Sequence, residues 1–182
     1  MGLAATAASL TGEKMQLKKN ITAVMLVVFS ILAVSSYLPA AYSHAQAQIA
    51  REIGETYNKE VSCLAENIYY EAGKESYEGK LAVAQVTMNR VNSGRFADTV
   101  CGVVKQKING VCQFSWYCMQ VHSNKNKYDW EESVYVARKA LEQAIVHSAL
   151  ATQNAMFYHN NQVNPGWRLR RVATIGNHIF YK

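Results

Sequence analysis

The feature that most constrains the fold of this chain is a stripe of apolar residues between Tyr57 and Ala72, which recurs every three to four positions. That spacing is typical of a helix with one buried face. Gly73 follows the stripe, and glycine commonly ends a helix. At about 100° per residue in a helix, Glu71 falls within the apolar stripe, whereas Glu66 faces nearly the opposite way.

Glu71 is the residue whose position most favours acid/base chemistry. An apolar helix face disfavours the ionised carboxylate, and the end of a helix adds negative potential. Both effects keep a carboxyl protonated near neutral pH, as a general acid requires. The alternative is a solvated glutamate at a helix end, because most glutamates are exposed. Glu75 is separated from this helix by Gly73, so we predict no second catalytic acid.

Three further helices are predicted from their start signals and periodicity, the shortest of them capped by Asp98 or Thr99 and ending at Val104. Ser76 can cap a helix that spans 77–91, which is apolar almost all round and is therefore expected at the centre of the core. Asp129 can cap another helix, because Glu131 and Glu132 in its first turn complement the helix dipole.

The last part of the chain changes to short apolar and aromatic runs separated by turn residues. This pattern predicts strands over 155–159, 170–174 and 178–181. Residues 113–117 are expected to be extended or irregular. The predicted fold class is therefore α+β, with a mainly α-helical body and a small C-terminal antiparallel sheet.

The N-terminal part of the chain has the organisation of a secretory signal. A basic segment, 15–20, precedes an apolar run, 21–34, and small residues then allow cleavage after Ala45 or Ala47. The alternative is an uncleaved anchor in the inner membrane, for which 21–38 is barely long enough.

This organisation predicts an N-terminal extension with a signal peptide or anchor, residues 1–47, and a single catalytic domain, residues 48–182. We expect an exported protein, periplasmic or extracellular, that contacts membrane only through an uncleaved N-terminal segment. The net charge of +6 suits an anionic polymer or surface. No run of basic residues interleaved with aromatic ones indicates a nucleic-acid partner, and we expect a monomer.

Four cysteines in an exported chain favour disulfides. Three pairings are possible, and the short separation of Cys112 and Cys118 favours that pair together with Cys63 and Cys101. A zinc site would need paired short spacings such as Cys-x2-Cys. None is present, so we predict no metal.

Other chemistries have less support. A Cys/His enzyme competes with the disulfide interpretation, and the Gly-x-Ser-x-Gly elbow of a serine nucleophile is absent. His159 and His178 are candidate bases, although structural hydrogen bonds are the commoner role. The side chains that we expect to bind or stack on a substrate are Asn89, Gln113, Ser115 and Tyr158.

The segment from Cys63 to Val91, with Glu71-Ala-Gly-Lys-Glu75 at its centre, resembles the signature of cell wall hydrolases of the SleB/CwlJ type. Gln113-Phe-Ser-Trp and the closing 167–181 segment match further along. The resemblance extends over roughly 61–182. Gly73-Lys74 is a departure, because the family often has Arg-Gly there.

The resemblance implies a lysozyme-like fold and cleavage of peptidoglycan between N-acetylmuramic acid and N-acetylglucosamine, with no cofactor. The family's catalytic glutamate matches Glu71. A single acid favours the lytic transglycosylase route, which gives 1,6-anhydro ends. The alternatives are a hydrolytic muramidase, or a non-catalytic peptidoglycan-binding protein on the same fold.

Overall fold

The computed structural model describes residues 3–119, 121, 124–144, 152 and 154–182. Contacts divide the chain into two units, Met1–Ile53 and Gly54–Lys182. Helix α1 (Leu3–Ala72) begins in the first unit and ends in the second. In the described part of the chain, no helix has both the length and the apolar character needed to cross a membrane. Cleavage after Ala45 or Ala47 stays a prediction.

The second unit contains the rest of the secondary structure. Its further helices are α2 (Tyr77–Asn92), α3 (Val100–Lys105), α4 (Ser115–Cys118) and α5 (Lys127–Ala144). A short antiparallel hairpin joins β1 (Lys107–Ile108) to β2 (Val111–Cys112). As predicted, Ser76 caps α2, because its side chain accepts a hydrogen bond from the backbone N–H of Gly79 at 3.3 Å.

Helix α2 lies at the centre of the core, as its all-round apolar sequence predicted. One face, with Leu81, Ala84 and Met88, packs in a cluster with residues of α1, α3 and α5. The other face, with Ala82, Val83 and Val86, packs in a second cluster that includes residues of the C-terminal sheet. Burial of each Val or Leu side chain contributes roughly 1.5–3 kcal/mol, so α2 holds the helical body and the sheet together.

The C-terminal sheet has three antiparallel strands, β3 (Phe157–Asn160), β4 (Arg171–Ile175) and β5 (His178–Tyr181), in the order β3-β5-β4. Strand β5 is therefore central, and its Phe180 is fully buried against α2. A two-residue turn at Gly176 and Asn177 joins β4 to β5. The predicted fold class, mainly helical with a small C-terminal antiparallel sheet, is confirmed.

Two local predictions were wrong. Helix α5 begins at Lys127 rather than after Asp129, because the side chain of Asn126 accepts the hydrogen bond from the Asp129 backbone N–H at 3.1 Å. Residues 113–117 are not wholly irregular, since the four-residue helix α4 begins within them. The Cys112–Cys118 disulfide brackets this helix and closes a small loop around it.

All four cysteines are paired. Cys63 of α1 bonds to Cys101 of α3, and Cys112 bonds to Cys118. These are the two pairs that the spacing favoured. The first bridge joins positions 38 residues apart, and closing a loop of that length stabilises a fold by roughly 4 kcal/mol in the chain-entropy model.

Candidate active site

Glu71 lies in the last turn of α1 and lines a cavity of about 260 Å³. Helical periodicity buries the face that contains Leu64 and Ile68, and Glu71 follows on the same side, where the helix ends at the cavity. The residues that line the cavity are Tyr69, Tyr70, Glu71, Ala72, Gly73, Lys74, Glu75, Asp129, Asn160 and His178.

The surroundings of Glu71 favour its protonated form. Burial raises the pKa of the half-buried Glu71 carboxyl, and interactions with the Tyr158 hydroxyl and the Arg90 charge oppose this rise only in part. The Tyr158 hydroxyl approaches Glu71 without reaching the geometry of an ordinary hydrogen bond. A protonated carboxyl that borders a cavity can act as a general acid.

Glu75 lies in the same cavity, which the sequence analysis did not predict. Gly73 does end the helix before Glu75, but the turn between β4 and β5 binds the side chain instead. The backbone N–H of Asn177 donates to Glu75 Oε2 at 3.2 Å, and Asn177 Nδ2 donates to Oε1 at 2.9 Å. The Glu75 side chain is only 11% exposed. That there is no second catalytic acid stays a prediction, because lining the cavity does not by itself give Glu75 a catalytic role.

Two glycines allow this arrangement. A Cβ atom at Gly73 would overlap the backbone carbonyl of Tyr69, so the turn after Glu71 needs the small residue for space rather than for a positive φ. A Cβ atom at Gly176, which has φ +55°, would overlap Glu75 Oε2. Glycine at 176 thus lets the turn approach the carboxylate closely.

His178 is buried beside Glu75 and also lines the cavity. Its Nδ1 lies 3.9 Å from Glu75 Oε1 and makes no hydrogen bond to a described residue. Burial lowers the pKa of His178, Glu75 opposes this effect, and His159 adds to it. By contrast, His159 bonds to the Asn160 carbonyl and the Tyr181 hydroxyl, which is the structural role expected of it.

The four predicted substrate contacts lie away from the lining of the cavity. Asn89 Nδ2 donates to the carbonyls of Thr152 and Ala155 at 3.0 and 2.9 Å, and its Oδ1 accepts from Gln85, so its amide is used in holding the backbone. These bonds favour a structural role for Asn89, and its contact with a substrate stays a prediction.

Gln113, Ser115 and Tyr158 also lie outside the lining. Gln113 is half-buried, Ser115 is exposed, and neither borders the cavity. Tyr158 lies behind Glu71 with its hydroxyl shielded from solvent. Direct substrate contact by these three residues stays a prediction, and for Tyr158 the position favours action on Glu71 instead.

Several lining residues were missed by the sequence analysis. The Tyr70 ring stacks on Trp116 with centroids 4.7 Å apart, and its hydroxyl donates to the Val121 carbonyl at 2.9 Å. Lys74 and Asp129 form an ion pair beside them. The adjacent tyrosines before Glu71 were the available signal for the aromatic wall, whereas the ion pair joins residues 55 positions apart and leaves no local pattern.

The comparisons with known proteins show the family to which the chain belongs. Residues 74–181 match the family model described as Cell Wall Hydrolase. The chain therefore belongs to the cell wall hydrolase family, and the resemblance found in its sequence is confirmed.

Related proteins include the spore cortex-lytic enzymes of Oceanobacillus iheyensis and Bacillus subtilis. They are 33% and 29% identical over 126 residues, which make up 68% of this chain and 41% and 37% of those proteins. The chain thus spans about two fifths of the length of the curated relatives that it matches.

Two solved structures have a similar fold. One is the catalytic domain of the germination-specific lytic transglycosylase SleB from Bacillus anthracis, with 28% identity, a TM-score of 0.53, and coverage of 68% of this chain and 93% of that one. The other is the catalytic domain of Bacillus cereus SleB, with 26% identity, a TM-score of 0.52, and coverage of 69% and 91%. The predicted lysozyme-like fold is confirmed.

Proposed function

We propose that this chain cleaves the glycan strands of peptidoglycan between N-acetylmuramic acid and N-acetylglucosamine, with Glu71 as the acid/base and no cofactor. Membership of the cell wall hydrolase family supports the substrate class. Glu71 has the properties that protonation of a glycosidic oxygen requires, because it borders a cavity and burial raises its pKa.

We favour transglycosylation over hydrolysis. Glu71 gives its proton to the glycosidic oxygen, and the bond from that oxygen to C1 of the muramoyl residue breaks. The carboxylate of Glu71 then takes the proton of the muramoyl 6-hydroxyl, whose oxygen attacks C1. The product is a 1,6-anhydro sugar, the carboxyl group is restored, and no water is consumed.

The single observation that supports transglycosylation over hydrolysis is that the other carboxylates lining the cavity already have partners. A two-carboxylate glycosidase needs a second free carboxylate as nucleophile or as base for water. Among the described residues that line the cavity, the other two carboxylates are Glu75, bound by Asn177, and Asp129, paired with Lys74. Among these three carboxyl groups, Glu71 is therefore the one best placed to move protons.

The test is digestion of purified sacculi followed by mass spectrometry of the soluble fragments. We expect 1,6-anhydro ends from the wild-type protein, and a loss of about 100- to 10,000-fold in rate for Glu71→Gln with the fold intact. Glu66→Gln is the matched control, because Glu66 lies on the same helix but pairs with Lys125 instead of lining the cavity.

Other outcomes would select the alternatives. Reducing muramic acid ends would identify a hydrolytic muramidase. Binding to sacculi without release of fragments would indicate a non-catalytic binding protein. A folded and fully active Glu71→Gln protein would remove the central claim.

We also propose export to the periplasm or the exterior, where this substrate lies, with residues 1–47 as signal or anchor and 48–182 as a monomeric catalytic domain. Two disulfides in the second unit support an oxidising compartment. Determination of the N-terminal residue of the protein recovered from the periplasm tests this, since cleavage after Ala45 or Ala47 would leave a new terminus.

A further inference from the structure

Two buried polar groups behind Glu71 have no hydrogen-bond partner among the described residues: the Tyr158 hydroxyl and Arg90 Nη1. Both interact electrostatically with Glu71 and with each other. Unpartnered buried polar groups are rare and costly, so a pair of them beside one carboxyl calls for an explanation.

Arg90 is a cation held rigidly in an apolar site. Only 5% of the residue is exposed, and its Nε donates to the Met156 carbonyl at 2.8 Å. The guanidinium carbon lies 5.0–5.8 Å from the ring centroids of Phe96, Phe114 and Phe157. Among the described residues no carboxylate forms an ion pair with it. A buried cation without a counter-ion is destabilising, and a negative charge that forms nearby during function would compensate it.

Tyr158 is fixed by its ring. The ring meets the His178 ring edge-on at 5.3 Å and lies 5.7 Å from the Phe180 ring, centroid to centroid. Burial and the nearby Glu71 raise the pKa of the Tyr158 hydroxyl, so the group stays protonated and keeps a hydrogen to donate. The hydroxyl is thus a donor with no hydrogen bond of ordinary geometry, close enough to Glu71 to interact with a carboxyl whose pKa burial raises.

We propose, on the basis of the function proposed above for Glu71, that Tyr158 and Arg90 are positioning residues that stabilise the carboxylate of Glu71 after it has given up its proton. The Tyr158 hydroxyl then donates a hydrogen bond to that carboxylate, and the Arg90 charge compensates the new negative charge. Donors that are in place before a charge develops stabilise it without reorganisation.

The proton balance is simple. The O–H bond of Glu71 breaks as the glycosidic oxygen gains its hydrogen. The carboxylate later recovers a proton from the 6-hydroxyl of the substrate. Tyr158 keeps its own proton throughout, and Arg90 stays charged. The two residues act through Glu71 and not on the sugar, which assigns Tyr158 a different role from the substrate contact predicted from the sequence.

The direct test measures the pKa of Glu71 by carboxyl carbon NMR titration of the full chain without substrate. The Glu71 signal is assigned by its absence in Glu71→Gln. We expect a higher pKa of Glu71 in Tyr158→Phe than in the wild type, because one stabilising group for the carboxylate is lost. The other titratable groups that line the cavity are Tyr69, Tyr70, Lys74, Glu75, Asp129 and His178, of which the two carboxylates are monitored in the same titration.

Tyr181→Phe is the matched control. Tyr181 lies on the adjacent strand β5, and its hydroxyl bonds to His159 Nε2 at 2.9 Å. We expect no change in the pKa of Glu71 from this substitution. An unchanged pKa of Glu71 in a folded Tyr158→Phe protein would overturn the proposal, whether or not the enzyme releases anhydro sugars.

Activity measurements provide a second readout. In Tyr158→Phe we expect kcat to fall by about 10- to 100-fold with little change in KM, the size expected for a hydrogen bond to a charged group. The alkaline limb of the kcat profile should move to higher pH. Arg90→Lys keeps the charge, so the pKa of Glu71 in this variant should be closer to the wild-type value than it is in Arg90→Met. The reverse order would overturn the role of the Arg90 charge. Thermal melting confirms folding, and Tyr158→Phe decides the proposal if neither Arg90 variant folds.

Discussion

Glu71 and Glu75 are four residues apart and line the same cavity, yet they have opposite surroundings. Glu71 ends a helix on its apolar side, where burial raises its pKa. Glu75 lies in the following turn, where Asn177 donates two hydrogen bonds to it. The position of Glu71 favours release of a proton to a substrate, whereas the Glu75 carboxylate is fixed by two hydrogen bonds.

This difference shows that exposure alone does not decide the role of an acid in a cavity. Both side chains are at least partly shielded from solvent, but Glu75 accepts two hydrogen bonds from a turn that is distant in sequence. The hydrogen bonds to Glu75 also join the turn after Glu71 to the turn between β4 and β5. We therefore regard Glu75 as the residue that fixes one wall of the cavity, and Glu71 as the residue that performs the chemistry there.

The largest expected effect separates the two glutamates by activity. Glu71→Gln should lose about 100- to 10,000-fold in rate, the range for removal of a general acid. Glu75→Gln should lose at most about tenfold, because the amide keeps one acceptor for Asn177 and removes only part of a positioning contact. The measurement is the initial rate of fragment release from sacculi, with the product ends determined alongside. A folded Glu75→Gln protein as inactive as Glu71→Gln would show that both carboxylates take part in the chemistry.

A smaller effect, on stability, tests the contact between Glu75 and the turn that joins β4 to β5. Gly176→Ala should destabilise the fold by about 1–2 kcal/mol from its positive φ and by a further ~1–3 kcal/mol from overlap with Glu75. Gly94→Ala is the matched control, because Gly94 has φ +67° and open space around it, so only the first cost applies. Urea denaturation gives both values.

The double variant makes this test specific. In a Glu75→Ala background the cost of Gly176→Ala should fall to that of Gly94→Ala, since the overlapping carboxylate is gone. An unchanged cost in that background would mean that the close approach of Gly176 to Glu75 does not contribute to stability.

The contrast between the two glutamates also marks the limit of sequence reasoning. Glu71 was predictable because helical phase is a local property, set by the residues three and four positions before it. Glu75 was set aside because Gly73 separates it from the helix, and its partner in the structure, Asn177, lies 102 residues away with no periodicity to connect them. Sequence patterns reveal which face of an element is buried, but not which distant turn will bind a given side chain.

The same limit explains the other outcomes. The central position of α2 follows from its apolar surface, and the turn between β4 and β5 follows from Gly176 and Asn177. The sequence around Asn89 does not show whether its side chain faces a substrate or binds backbone carbonyls. The hydrogen bond to Ala155 depends on the path of the chain there, which no local pattern predicts. Asn126 and Asp129 are both good capping residues, so the start of α5 depended on the path of the preceding loop.

The smallest expected effect compares the glutamates by stability rather than by activity. The pKa of Glu71 is raised in the folded protein, so its contribution to stability is fully present below the unfolded pKa and is lost as the pH rises through the folded pKa. Glutamine does not titrate. Glu71→Gln should therefore be more stable than the wild type above this window, by roughly 0.5–2 kcal/mol, the usual size of a stabilising exchange at a functional site.

Thermal melting at about pH 4 and about pH 8 measures this difference, which should be small at the lower pH and larger at the higher one. Glu75→Gln should show the opposite sign at the higher pH, because it weakens the contacts with Asn177. Glu66→Gln, which removes one partner of a partly exposed ion pair with Lys125, should change stability by less than about 1 kcal/mol. A Glu71→Gln protein less stable than the wild type at the higher pH would mean that the ionised Glu71 is already well compensated in the resting enzyme, and the contrast with Glu75 would no longer hold.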